Sequence, residues 1–348
     1  MSLVKVENLK IHFDTDEGQL LALDNVSFAI ENGEILGIAG ESGSGKSITA
    51  KSLMQLNDEN TIYHPESKIL YQNDNLLAFD DKEMIPFRGK FFSMIFQEPM
   101  ASFAPAIRIG DQMIKQLLIH EQITYDVARE RAIQALSSVG IPDANKLIDQ
   151  YSYEFSGGMR QRAMIAMALS TNPQLLIADE PTTALDVTIQ AQIIELIKKE
   201  VQDGNMAGLF ITHDLALLAQ TANRIMIMYM GKIVESGTAY QVLTNPQHPY
   251  TKALIESSPD IENFQKELLP IKGEVPLLKD RPQGCVFQNR CSHVIKNLCD
   301  QKSPLLSELD KNHFVSCYLY NEYLYRSQKF ICPILFGEKK YFWKRRIF

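Results

Sequence analysis

No cysteine occurs in the first 284 residues of this 348-residue chain; the five present, Cys285, Cys291, Cys299, Cys317 and Cys332, all lie beyond. Such clustering in a cytosolic chain points to metal binding more than to disulfides. No run of about 18 apolar residues occurs, so no transmembrane helix is expected. Any membrane association is then expected to go through another protein or through the surface. Nothing at the N-terminus resembles a signal peptide, because Lys5, Glu7 and Lys10 interrupt it before an apolar stretch can form. An excess of basic charge is missing too. With 35 Lys and Arg against 42 Asp and Glu, the net charge is −7. That argues against nonspecific nucleic-acid binding, which rests on neutralising phosphates with cations. There is no internal repeat and no low-complexity segment.

What remains is an ordinary globular composition, 45% hydrophobic and 22% charged. The length suits one main domain with an appendage. Leu3–Leu9 and Ala22–Ile30 read as strands, and Ile35–Ala39 as a short buried strand of the kind found in parallel sheets. Phe91–Phe96, Leu175–Ala178 and Gly208–Thr212 read the same way. Helical periodicity runs from about Ile109 to Ala168 and returns over Val187–Lys199. Arg224–Glu235 resembles a hairpin turning at Gly231-Lys232. Strands alternating with helices imply an α/β parallel sheet, with the segment before residue 170 as a helical lobe beside it. After about Gln247, prolines 249, 259, 270, 276 and 282 mark a loop-rich extension.

Three segments carry chemistry. Gly40-Glu41-Ser42-Gly43-Ser44-Gly45-Lys46-Ser47 fits the phosphate-loop pattern G-x-x-x-x-G-K-[ST], directly after a buried strand and opening a helix. Glycines let the backbone amides converge on one anion, and the helix start adds its positive end. Lys46 is expected to reach the β- and γ-phosphates, and the Ser47 hydroxyl to hold Mg²⁺. Leu175–Glu180 is an apolar strand ending in two acids, which suits Asp179 to Mg²⁺ and Glu180 to the attacking water. Taken alone, it reads equally as a core strand whose acids reach solvent. In Phe155-Ser156-Gly157-Gly158-Met159-Arg160-Gln161-Arg162, Ser156 is an expected N-cap, and Gly157 and Gly158 expose amides at the helix start.

Ser-Gly-Gly-x-x-Gln-Arg between a phosphate loop and a strand ending Asp-Glu resembles the signature of the ABC (ATP-binding cassette) ATPases. The resemblance implies a P-loop ABC nucleotide-binding domain over residues 1–250, with a parallel sheet core, an N-terminal antiparallel β subdomain and a helical signature subdomain over about 98–168. A loop-rich, Cys-containing C-terminal extension over 251–320 and a divergent tail over 321–348 follow. It also implies roles for Gln97 (contacting Mg²⁺ and the attacking water), Ala184-Leu185-Asp186 (the D-loop), His213 (contacting the γ-phosphate) and Phe13 (stacking on adenine). Two subunits are expected to pair head to tail, so that ATP bound at one phosphate loop meets Ser156, Gly157 and Gly158 of the other.

Within the family, Ile95–Pro105, Asp179–Thr188 and Gln247–Leu254 resemble the ATPase subunits of oligopeptide/dipeptide importers, with Ala104 where that group usually has Asn. The likeness covers residues 3 to about 318. It implies an ATP-hydrolysing subunit on the cytoplasmic face of the inner membrane. Its expected partners are a homologous second ATPase subunit or a second copy, two transmembrane permease subunits and, indirectly, an extracytoplasmic substrate-binding protein. Nickel or another small solute is an alternative cargo, and a soluble ABC ATPase or a non-hydrolysing nucleotide binder an alternative class. The spacing C-x5-C-x7-C-x17-C over Cys285, Cys291, Cys299 and Cys317 suits an iron–sulfur cluster or a tetrahedral zinc. The resemblance, with Phe287 and Arg290 also matching, favours [4Fe–4S]. The tail combines Lys339, Lys340, Lys344, Arg345 and Arg346 with Tyr341, Phe342 and Trp343. Composition reads it as a disordered end before a membrane or partner contact.

Overall fold

The computed structural model describes residues 2–98, 102–182, 185–204, 206–258 and 270–320. Ala184 of the expected D-loop, Cys332 and the 321–348 tail lie outside them.

Two sheets form the body. The first is antiparallel and five-stranded, built on the long strands Ser2–Thr15 and Gly18–Glu31 with the short strands Thr61–Tyr63, Lys68–Tyr71 and Asp74–Asn75. The second runs in the order Ser307–Asp310, His313–Val315, Lys232–Thr238, Arg224–Tyr229, Ile35–Ala39, Ala207–Ile211, Leu175–Asp179 and Phe92–Ile95. From Arg224–Tyr229 to Phe92–Ile95 its five strands are parallel.

Side-chain alternation explains how these strands serve two cores. Leu175 and Ile177 pack, with Leu36, Ile38, Leu209 and Ile211, against the antiparallel sheet. Leu176 and Ala178, with Ile35, Ala39 and Phe210, face the helices instead. Every residue of Leu175–Asp179 is buried. A strand covered on both faces therefore reads as a continuous apolar run, and its terminal carboxyl group is carried into the interior.

The helical lobe consists of Ile109–His120, Tyr125–Ser138, Ala144–Leu147 and Gly157–Leu169. The expected helix at Val187 runs to Gln202, capped by Asp186, whose side chain accepts from Ile189 N–H at 3.0 Å. The hairpin also forms, but it turns at Met230-Gly231, one residue earlier than expected. Both hold positive φ, 45° and 73°, the backbone of a tight two-residue hairpin turn. The extension adds a pair of strands that the sequence did not betray: His313–Val315 pairs with Lys232–Thr238 and carries Ser307–Asp310 at the sheet edge.

Candidate functional site

The phosphate loop leaves the end of Ile35–Ala39. Gly40 holds φ 151°, and a Cβ there would lie 2.2 Å from the carbonyl oxygen of Met228 on the neighbouring strand. Only glycine fits this crossing. Lys46 opens the helix Lys46–Ser52 and turns back into the loop. Its Nζ donates to the carbonyl oxygens of Gly40 (2.7 Å) and Glu41 (2.9 Å) and to Ser44 Oγ (3.3 Å). Burial lowers its pKa, opposed by the carboxylates of Glu180, Asp179 and Glu41. A desolvated ammonium surrounded by carbonyls is a cation held ready for an anion.

Asp179 and Ile211 are register partners on adjacent parallel strands, so the residues after them emerge side by side. Burial pushes the Asp179 carboxyl group upward, against the opposing pull of its hydrogen bond from Ser47 and the charge of Lys46. Glu180 adopts φ 50°, a left-handed conformation rare for a non-glycine residue. Its N–H is tied to the Ile211 carbonyl oxygen at 2.8 Å. The side chain then meets His213: Glu180 Oε1 and His213 Nδ1 are 2.9 Å apart. Gln97, just past the edge strand Phe92–Ile95, completes the group.

One cavity of about 340 Å³ is lined by Gly40, Ser42 to Ser47, Gln97, Asp179, Glu180 and His213, together with Ala22, Ile48 and Leu278. A larger cleft of about 710 Å³ lies between the helical lobe and the helix Val187–Gln202, but none of the motif residues lines it. The oxygen set of Ser47, Asp179 and Gln97 suits a hard divalent cation such as Mg²⁺. Phe13 is half-buried, paired with Leu20 and Thr61 and packed against the core between the sheets. It is not among the residues lining the cavity, where Ala22 and Leu278 stand instead. Glu41 does not line it either, since its carboxylate turns away to Arg290. Neither Ala22 nor Leu278 carries a sequence signal, and Leu278 arrives from the distant extension.

Ser156, Gly157 and Gly158 are not brought to this cavity. Ser156 caps its helix, with Oγ accepting from Met159 N–H at 3.2 Å. Nothing lies within 4 Å of a Cβ built on Gly157, so the helix start is open. Gln161, fully buried, donates from Nε2 to the Pro181 carbonyl oxygen at 2.6 Å. The helix that begins at the exposed Ser156 and Gly157 is thereby linked to the residue following Glu180.

Cys285, Cys291, Cys299 and Cys317 line one small cavity with His248 and His293. Backbone N–H groups point at the sulfurs: those of His293 and Ile295 reach Cys291 Sγ and Cys299 Sγ at 3.4 Å, and those of Phe287 and Leu319 serve Cys285 and Cys317. Burial raises the Cys285 thiol to about 11 and the Cys317 thiol to about 12. Yet among the described residues no group of three or more His, Cys, Asp or Glu side chains is placed to hold a metal ion. The expected tetrahedral zinc is therefore not supported. Neither is the iron–sulfur expectation met by an assembled ligand set among the described residues; the four cysteines line the cavity.

Comparison with known proteins follows the same outline. The ABC transporter family profile matches residues 23–183, and that of the oligopeptide/dipeptide transporter C-terminal region matches 234–299. The chain is 44% identical over 318 residues to the oligopeptide transport ATP-binding protein OppD of Bacillus subtilis, covering 91% of this chain and 88% of that one. It is 42% identical to the dipeptide transport ATP-binding protein DppD of Escherichia coli over 91% of this chain and 97% of that one. Among solved structures, a dimeric post-hydrolysis state of an ATP-binding cassette bound to ADP and Pi superposes with a TM-score of 0.62 at 26% identity, over 68% of this chain and 98% of that one.

Proposed function

The chain belongs to the ABC transporter ATP-binding proteins, in the oligopeptide/dipeptide transport group, and on that footing we propose that it hydrolyses ATP to power a peptide importer. The observation that carries this is the 2.9 Å contact of Glu180 with His213 beside the buried Lys46 and Asp179, around one cavity. Phosphoryl transfer asks for positioning and charge stabilisation more than for covalent chemistry. In our reading Lys46 and the loop amides hold the β- and γ-phosphates. Glu180 orients the attacking water and accepts its proton, His213 and Gln97 fix its direction, and Ala22 and Leu278 border the nucleotide. Mg²⁺, held by Ser47, Asp179 and Gln97, would neutralise phosphate charge. Trapping with Glu180→Gln tests the assignment: MgATP binding without turnover supports it, and undiminished turnover sinks it.

The open Ser156-Gly157-Gly158 helix start completes the site from a second ATPase subunit, either another copy or a homologue. ATP then acts as the ligand that joins the pair, and hydrolysis releases it. Among the described residues no helix is long and apolar enough to cross a membrane. From the likeness to peptide-transport ATP-binding proteins we place the pair peripherally on two permease subunits at the cytoplasmic face, supplied by an extracytoplasmic binding protein. Residues 1–250, 251–320 and 321–348 are proposed as ATPase domain, extension and tail.

For the four cysteines we propose an iron–sulfur site. What supports this reading is that the four cysteines line one small cavity and that each sulfur is met by a backbone N–H, as the sulfurs of ligating cysteines are.

A further inference from the structure

We propose that Arg290 of the C-terminal extension is a positioning residue for the phosphate loop, holding Glu41 both in place and electrically silent so that the loop can accept a triphosphate. The inference rests on the ATP-site reading above and extends it to a part of the chain outside the ATPase core.

Glu41 is the second residue of the loop, and its polar groups are taken up on several sides. Its N–H donates to Tyr250 Oη at 2.8 Å. Its carbonyl oxygen accepts from Lys46 Nζ at 2.9 Å and from Ser44 N–H at 3.2 Å. Its carboxylate receives both arms of the Arg290 guanidinium, Nη1 to Oε2 at 2.6 Å and Nη2 to Oε1 at 3.1 Å. Two of these anchors, Tyr250 and Arg290, come from beyond the hairpin Arg224–Thr238.

The anchor is itself built rigidly. The Arg290 side chain is 4% exposed. Its Nε donates to the Lys272 carbonyl oxygen at 3.0 Å, and its guanidinium lies 5.8 Å and 6.0 Å from the ring centres of Tyr229 and Phe287. Tyr229, Tyr250 and Phe287 are buried and pack on one another with ring centres 4.7–5.3 Å apart. A planar cation held by aromatic faces and a carbonyl has few other geometries open to it, so its fork fixes the carboxylate that it meets.

Charge gives the contact its consequence. A carboxylate within a phosphate loop repels the anion that the loop must bind, and set against Lys46 alone it would leave the two with no net positive charge. With Arg290 in place the pair is neutral and the loop keeps the net positive field of Lys46. Without it, Glu41 is unmasked beside the phosphates and free to move.

The test is equilibrium MgATP binding and steady-state kinetics of the full-length chain, as wild type and as Arg290→Ala, Arg290→Lys, Tyr250→Phe, Glu41→Gln and the double Arg290→Ala/Glu41→Gln. We expect Arg290→Ala to raise Kd and KM at least about tenfold while kcat at saturating ATP stays within about twofold. Arg290→Lys, which keeps charge but loses the fork, should fall between. Tyr250→Phe should move the same way by less. The double variant should bind MgATP more tightly than Arg290→Ala, because the unmasked charge has gone. A purely structural contact predicts the reverse pattern: lowered thermal stability, unchanged KM, and a double variant no better than the single. Wild-type binding together with wild-type Kd in Arg290→Ala and Tyr250→Phe overturns this inference alone. Absence of MgATP binding by the wild-type chain overturns the ATP-site reading and this inference with it.

Discussion

Glu180 and His213 leave the ends of two adjacent parallel strands and meet at 2.9 Å, with Glu180 held at φ 50°. The left-handed residue carries the carboxylate that meets His213, and conformational strain of this kind is tolerated where function requires it. Glu180→Gln preserves the shape and removes the base. Turnover should fall by about 10²–10⁴-fold with MgATP affinity retained. His213→Ala should lower turnover similarly with little change in stability, because the His213 side chain is largely exposed. Single-turnover hydrolysis beside equilibrium binding checks both, and near-normal rates would remove these residues from the chemistry.

Lys46 offers a different separation of effects. Its ammonium is buried and desolvated, so the empty protein gains little stability from it. Lys46→Ala should leave the melting temperature of the nucleotide-free chain nearly unchanged. The stabilisation that MgATP confers, about 2.7 kcal/mol at a hundredfold excess over Kd for a single site, should disappear. Thermal melts with and without MgATP measure this, and a variant still stabilised by MgATP would contradict the phosphate-holding role.

Much of this was legible because the chemistry is local in sequence. The phosphate loop, the strand end Asp179-Glu180 and the cap at Ser156 are each contained in a few residues whose pattern states their geometry. The ABC likeness adds Gln97 and His213, which the parallel sheet then delivers to the same cavity. What escaped depends on the chain returning from far away. Leu278 and Arg290 reach the site from an extension whose prolines signal only irregular backbone, and the strands at Ser307 and His313 exist because Lys232–Thr238 offers them an edge. Phe13, a position assigned by likeness, packs half-buried against the core between the sheets and is not among the residues lining the cavity.

His248 makes stability depend on acid. The residue is fully buried, and desolvation lowers its pKa from 6.5 to about 3. Its Nδ1 accepts from Tyr250 N–H at 3.1 Å, which requires that nitrogen to be unprotonated. Between about pH 6.5 and about pH 3 the unfolded chain takes up this proton and the folded chain does not. Stability is thus fully present above the upper value and falls as pH drops, by up to about 1.4 kcal/mol per unit. His248→Asn keeps a capping side chain without a titrating group and should flatten that slope. Denaturant unfolding from pH 7 to 4 measures it, and identical slopes would show that His248 does not titrate on unfolding.

The cysteine cavity makes a compositional prediction. Protein prepared without oxygen should carry about four iron and four sulfide per chain with a broad visible absorption, lost in Cys299→Ser. Stoichiometric zinc would replace the cluster with zinc thiolates, and full thiol reactivity without iron would leave buried neutral thiols; either outcome excludes the cluster.

Ser156 allows two roles to be told apart in one residue. As a helix cap it accepts from Met159 N–H, and Ser156→Ala should lower stability by about 1 kcal/mol. As part of a phosphate-facing helix start on the opposite subunit it should matter only when two chains close on ATP. Ser156→Asn retains capping ability while crowding the anion site. If the proposed pairing is right, Ser156→Asn keeps near-normal stability and monomer MgATP affinity yet loses at least about tenfold in partner-dependent turnover. If turnover merely tracks stability across the alanine and asparagine variants, Ser156 is only a cap, and the second half of the ATP site must be sought elsewhere.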